Sequence, residues 1–253
     1  MKTLVTFLLD RTGSMASCKD ATLEAFNGYV DGLRSGDDAP KIEFSFLQFD
    51  SMSLDIICVA EDIQKVDLLN QRTYQPRAST PLIDAAYKTI KAVDESLGTR
   101  DDKPRVVVCI QTDGHENAST EYTMAELNAL IKEKAAQGWQ FNFMGAGIDA
   151  YDTATKMGVA MMDSLSYDKT RPEAARSAFL ASAANTRAYA SGMTSRTSFN
   201  FAQRKLAGDI HAKKYGLDPS PEATPSAPDL TKQDTAARRS APKIVDDVKL
   251  HGK

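Results

Sequence analysis

A chain of 253 residues with 42% hydrophobic content and a formal net charge of −3 carries enough apolar material for one ordinary core plus additional segments. Its mean hydropathy of −0.37 and pI near 5.7 argue against a membrane protein and against a dedicated nucleic-acid binder, whose footprint is a strongly basic face. Three cysteines, Cys18, Cys58 and Cys109, are odd in number, widely spaced and without a CxxC pair, so the expected compartment is a reducing cytosol.

In chain order, continuous apolar runs alternate with amphipathic stretches, the pattern of a mostly parallel sheet with helices on both faces. The run from Thr3 to Leu9, stopped by Asp10 and Arg11, is short for a signal segment, lacks a small-residue cleavage site and reads as a strand. A helix follows from about Ser17 to Leu33, with Leu23, Phe26, Val30 and Leu33 at spacings of three and four. Residues 41–49, in which Ile42, Phe44 and Phe46 alternate with Glu43, Ser45 and Leu47, and residues 54–59 read as a hairpin. A helix to about Leu97 starts at Ser79-Thr80-Pro81, where Ser79 or Thr80 can cap it and Pro81 suits its first position; Gly98 ends it. Arg105 to Ile110 is expected to be a fully buried central strand. Helix near 123–137, strand at 139–144, short helix near 150–157, weak strand near 164–167 and helix from about Pro172 to Ala190 complete a sheet of roughly six strands. The fold class expected is therefore a doubly wound, Rossmann-like α/β sheet with one antiparallel edge hairpin.

Three oxygen-rich clusters stand at element boundaries: Asp10-Arg11-Thr12-Gly13-Ser14, Ser79-Thr80-Pro81-Leu82 and Thr112-Asp113-Gly114. Ligands of open α/β sheets sit beyond the carboxyl ends of the strands, so Asp10 and Asp113 are expected to face one crevice. Mg²⁺ takes oxygen ligands, keeps several waters and is held by few carboxylates, which suits such loops. Each cluster also has a plain structural reading: Thr80 as a helix cap, Asp10 as a loop cap, Asp113-Gly114 as a turn. Asn117 and Ser119 either support the site or are ordinary loop residues, and the methionines at 157, 161 and 162 are core filling.

Taken together, a DxTxS run after the first strand, Thr-Pro-Leu at a helix start and TDG after a central strand resemble the von Willebrand factor A domain over roughly residues 1–190. More narrowly, DGHENAS, WQFNFMGAGIDA and YQPRASTPLIDA resemble intracellular bacterial and bacteriophage proteins of that class. The resemblance implies a metal-ion-dependent adhesion site. In it Thr12, Ser14 and Thr80 offer hydroxyls and Asp10 and Asp113 offer carboxylates, directly or through water. The ion is expected to be Mg²⁺, with Mn²⁺ or Ca²⁺ as substitutes, and the partner a protein presenting an Asp or Glu. Thr12 departs from the usual Ser, keeping the hydroxyl and adding a methyl that tightens the pocket. Arg11, Ser79, His115 and Gly147 are expected on the partner-facing rim; imidazole is a poor Mg²⁺ ligand, so His115 is not placed on the ion.

Three functional classes follow. The first is a non-enzymatic, metal-dependent protein-binding module. The second is an architectural protein, such as a phage-particle component, acting through a C-terminal arm. The third, a metal-dependent phosphoryl-transfer enzyme, is disfavoured: Thr12 stands where a second Asp would act, GxxxxGK[ST] is absent, and none of the three histidines (His115, His211, His251) partners a visible nucleophile. The domain reading is an α/β domain over 1–190, a basic helical extension over 191–215 with a helix from about Phe199 to Lys214, and a flexible tail over 216–253. That tail has no aromatic residue and holds five of the ten prolines; its apolar patch at 244–250 could engage an assembly partner.

Overall fold

Strand β1 (Thr3–Asp10) is buried along its whole length, because its alternating side chains feed two separate cores. Val5, Phe7 and Leu9 enter one apolar cluster, and Leu4 and Leu8 enter the other. The computed structural model describes residues 1–35 and 41–217. After β1 come α1 (Lys19–Arg34), β2 (Ile42–Asp50), β3 (Ser53–Asp62), α2 (Leu82–Gly98), β4 (Arg105–Thr112) and α3 (Met124–Ala136). Then follow β5 (Gln140–Ala146), α4 (Ala150–Met157), β6 (Ser164–Tyr167), α5 (Pro172–Ala190) and α6 (Phe201–Leu206). The sheet runs β3-β2-β1-β4-β5-β6, and only the β2–β3 pairing is antiparallel.

Helices α1 and α5 cover one face. Phe26, Tyr29 and Val30 of α1 and Ala178 and Phe179 of α5 join the Val5–Phe7–Leu9 cluster, with Phe7 edge-on to Phe26 at 5.3 Å and stacked on Phe179 at 5.8 Å. The two helices approach closely: a Cβ at Gly32 would lie 2.9 Å from the Ala183 Cβ. Helices α2, α3 and α4 cover the other face, where Ile90, Leu127, Ile131 and Ala154 pack on Leu8, Val108 and Ile110. From β1 the chain moves outward to β2 and β3, then crosses to β4 on the other side of β1. The carboxyl ends of β1 and β4 therefore flank the topological switch point.

Both alternating sets of β2 are buried, Ile42, Phe44 and Phe46 in one core and Leu47 and Phe49 in the other, because helices pack on both faces of the sheet there. Two local expectations are corrected. Helix α2 begins at Leu82 with Pro81 at its cap position, neither Ser79 nor Thr80 caps it, and it runs through Gly98 to Thr99. The helix expected over 199–214 is broken: α6 ends at Leu206, Gly208 turns with φ +66°, and a short 3-10 turn spans Ala212–Tyr215. This segment docks on the sheet rather than standing away from it. Phe199 and Ala207 enter the core, and Arg204, only 2% exposed, donates to the Ser164 and Met162 carbonyls. The tail beyond Leu217, with its 244–250 patch, lies outside the described residues. No helix among those described is long and apolar enough to cross a membrane.

Candidate metal centre

β1 delivers Asp10 and β4 delivers Thr112 and Asp113 to the same end of the sheet. The 3-10 turn over Gly13–Cys18 then carries Ser14 back over them. Ser14 Oγ donates to Asp113 Oδ1 at 2.6 Å, and its oxygen lies 3.2 Å from Thr12 Oγ1. Thr80 Oγ1 donates to Thr12 Oγ1, also at 3.2 Å. Four of the five residues expected to hold the ion thus form one continuous chain of oxygens, drawn from three loops. Asp10 stands behind it: Oδ1 accepts from the Thr12 backbone N–H at 2.6 Å and Oδ2 from the Thr112 hydroxyl.

The loops are laced together by backbone and side-chain bonds. Gly13 N–H donates to the Ala78 carbonyl at 3.0 Å, and Arg77 N–H to the Arg11 carbonyl at 2.9 Å. A Cβ at Gly13 would come within 3.2 Å of the Ala78 oxygen, so this pairing favours glycine. The fully buried Tyr74 donates its hydroxyl to the Asp10 carbonyl at 2.7 Å. Asn117 clamps Thr80 from both sides, its Oδ1 accepting from Thr80 N–H at 2.8 Å and its own N–H donating to the Thr80 carbonyl at 3.1 Å.

The start of α2 is capped from the β4–α3 loop. Glu116 Oε2 accepts from Ile83 N–H at 2.9 Å and Ser119 Oγ from Asp84 N–H at 3.1 Å. Burial alone would raise the Asp84 carboxyl, but N–H groups of Thr120, Tyr122 and Glu121 outweigh it and hold it below the usual carboxylate range. Asn117 and Ser119, left open between support and plain loop, both support the site's framework.

The carboxylates differ in environment. Burial pushes the Asp10 carboxyl up to about 6, against the lowering effect of its bonds from Thr112 and Thr12. Asp113, whose side chain is 0% exposed, pairs with the Lys169 ammonium, 3.0 Å from its Oδ2. Arg11, expected on the rim, is instead 6% exposed and tied beneath the site to Asp50 at 2.8 Å and Asp55 at 2.7 Å. Its guanidinium makes four hydrogen bonds, to Asp50, Asp55 and Ser53. Ser79, His115 and Gly147 are exposed; Ser79 N–H donates to Ser51 Oγ at 3.1 Å.

Among the described residues no cluster of three or more His, Cys, Asp or Glu is arranged for a metal; the converging set is three hydroxyls and two carboxylates, all hard oxygens suited to Mg²⁺ and without imidazole or thiolate. A Cβ at Gly114 would fall 2.9 Å from Thr80 Oγ1 and 3.6 Å from Ser14 Oγ. The space between those hydroxyls is open because residue 114 has no side chain, and the set fits a small hard cation. The sequence reading missed Lys169, Tyr74 and Glu116. No short motif marks Lys169 or Tyr74, whereas Glu116 sits inside the DGHENAS string.

No family model and no curated protein sequence matches this chain. Solved structures do. The von Willebrand factor type A protein from Catenulispora acidiphila is 13% identical, with a TM-score of 0.52 over 74% of this chain and 43% of its own. The pilus adhesin SpaC from Lactobacillus rhamnosus GG, in its open conformation, is 9% identical, with a TM-score of 0.55 over 74% of this chain and 30% of its own. Proximal thread matrix protein 1 from the mussel byssus is 13% identical, with a TM-score of 0.52 over 71% and 46%. In each case the match spans less than half of the other chain. The described residues adopt a von Willebrand factor A-type fold.

Proposed function

We propose that this domain is a non-enzymatic, divalent-metal-dependent protein-binding module. The observation that carries the reading is the oxygen chain Thr80–Thr12–Ser14–Asp113, closed by contacts of 3.2, 3.2 and 2.6 Å across three loops at the switch point. In this proposal Thr12, Ser14, Thr80 and Asp113 hold Mg²⁺, which Mn²⁺ or Ca²⁺ can replace, and Asp10 contributes its charge through water. The bound ion supplies an exchangeable coordination position that accepts a carboxylate oxygen.

The protein's own residues do the rest. Asn117 and the Gly13–Ala78 pairing hold the three hydroxyls in place before any ligand arrives, so less ordering opposes binding. The proposed donor set holds two carboxylates, Asp10 and Asp113, which leaves a dication under-neutralised and favours a partner Asp or Glu. The exposed Ser79, His115 and Gly147 form the surrounding contact surface. The three unpaired thiols, Cys18 and Cys109 buried and Cys58 half-buried, suit action in a reducing cytoplasm.

The test is capture of partners by wild type and by the Asp10→Ala/Asp113→Ala variant, each with Mg²⁺ and with EDTA. A partner held only by wild type with Mg²⁺, and released by free acidic peptide, supports the module. Partners retained in all four conditions contradict it and favour the architectural role.

A further inference from the structure

Asp113 has both oxygens engaged: Oδ1 accepts from Ser14 Oγ at 2.6 Å and Oδ2 from Lys169 Nζ at 3.0 Å. The ammonium thus lies on the carboxylate that any ion at the hydroxyl cluster must share. Lys169 reaches it from the β6–α5 loop by a prepared route. Gly147 has φ +68°, and a Cβ there would lie 3.0 Å from both Cγ and Cδ of Lys169 and 3.3 Å from its Cε. The lysine stem rests where a side chain at 147 would stand.

The base of the loop is fixed. Asp168 N–H donates to the Ala207 carbonyl at 3.2 Å, and Asp168 Oδ1 accepts from Thr170 N–H at 2.9 Å and Thr170 Oγ1 at 2.6 Å. The Lys169 side chain is 32% exposed, so a four-carbon stem can carry its charge between Asp113 and solvent without moving the backbone.

We propose that Lys169 is a tethered cation that competes with the divalent ion for Asp113, and so sets the metal affinity of the site. This rests on the metal-site reading above. A dication and an ammonium repel strongly within a few ångströms in a partly buried setting. The ion therefore binds together with release of Lys169 from Asp113, and by linkage the lysine weakens the ion as much as the ion weakens the lysine's pairing. Gly147 acts as the bed that aims the lysine, which gives this exposed glycine a role other than direct partner contact.

The test is calorimetric titration of Mn²⁺ into wild type, Lys169→Met, which keeps the stem and removes the charge, and Lys169→Arg, which keeps the charge. Melting of each without metal shows that all are folded. Lys169→Met is expected to bind Mn²⁺ about tenfold more tightly, with Lys169→Arg near wild type. Binding by Lys169→Met where wild type binds none also supports competition, while contradicting a metal-loaded wild-type module. Binding in Lys169→Met equal to or weaker than in wild type overturns the competition and leaves the metal site standing. Binding in none of the three overturns both. As an independent readout, acetylation of Lys169 in wild type by an N-hydroxysuccinimide ester, read by peptide mass spectrometry, is expected to rise severalfold with saturating Mn²⁺. An unchanged rate counts against the proposal.

Discussion

Asp10 carries a stability cost of its burial. Its carboxyl is raised from 3.8 to about 6, chiefly by burial, so the metal-free folded state takes up a proton more readily than the unfolded chain. The stability tied to that proton is fully present below about pH 4 and is lost as pH rises through about 6; the loss at neutral pH is at most about 3 kcal/mol. Asp10→Asn keeps an oxygen for the Thr12 N–H and an amide facing Thr112. It is expected to raise the melting temperature of the metal-free protein at pH 7, to leave it nearly unchanged at pH 4, and to weaken metal binding, as followed by thermal melts with EDTA and with Mg²⁺. Asn117→Ala removes the acceptor that holds Thr80 N–H; it is expected to cost about 1–2 kcal/mol of stability and to weaken metal binding by loosening one hydroxyl. At this scale the approach of Thr12, Ser14, Thr80 and Asp113 to one another, with Asp10 behind them, was legible because each stands in a short motif at or beside an element boundary. Lys169 and Tyr74 were not, because their contacts, 56 and 64 positions away in sequence, depend on how distant loops cross. Arg11 was misplaced on the rim because its neighbours Asp50 and Asp55 come from the adjacent hairpin.

Helix α2 shows why caps are misread from local sequence. Ser79-Thr80-Pro81 has the composition of a helix start, yet Thr80 is turned to the hydroxyl cluster and the first free N–H groups are satisfied by Glu116 and Ser119. The side chain that looked like a cap was needed at the site, and a loop 33–35 positions away supplied the replacement. Glu116→Ala removes the acceptor of Ile83, Ala118 and Ser119 N–H groups. It is expected to lower stability by about 1–2 kcal/mol in urea titration and to displace Thr80 through the Asn117 loop.

The break after α6 has a similar origin. A continuous basic helix from 199 to 214 would carry charge along every face, whereas Arg204 must be buried against the Ser164, Met162 and Phe199 carbonyls. The turn at Gly208 brings Asp209 back to accept from Ser166, His211 and Ala212 N–H groups. Helical periodicity records none of these tertiary bonds. Arg204→Ala is expected to lose about 3–5 kcal/mol, since it leaves the buried Asp209 carboxylate and several carbonyls without their cation, and to expose residues 199–217 to limited proteolysis.

For the whole molecule, the apolar runs and helical stripes specified a doubly wound sheet well, because strands buried on both faces leave an unmistakable signal. Strand order depends on where each connection packs, which the periodicity of a single segment does not record. The architecture places three loops at the single end of the sheet where the chain reverses its direction of growth, and it laces them before any ligand arrives. On the metal-site proposal, an ion would bind there without reorganising the core, and it is expected to stabilise the domain by mass action, with a melting temperature that rises with ion concentration.

The most direct measurement is calorimetric titration of Mg²⁺ into wild type and Asp113→Ala, with circular dichroism on both. The account predicts one ion bound per wild-type chain, little or no binding by the variant, and the same helix and sheet content in the two. Wild type that takes up no ion at millimolar Mg²⁺, or an Asp113→Ala variant that binds as wild type does, would contradict it.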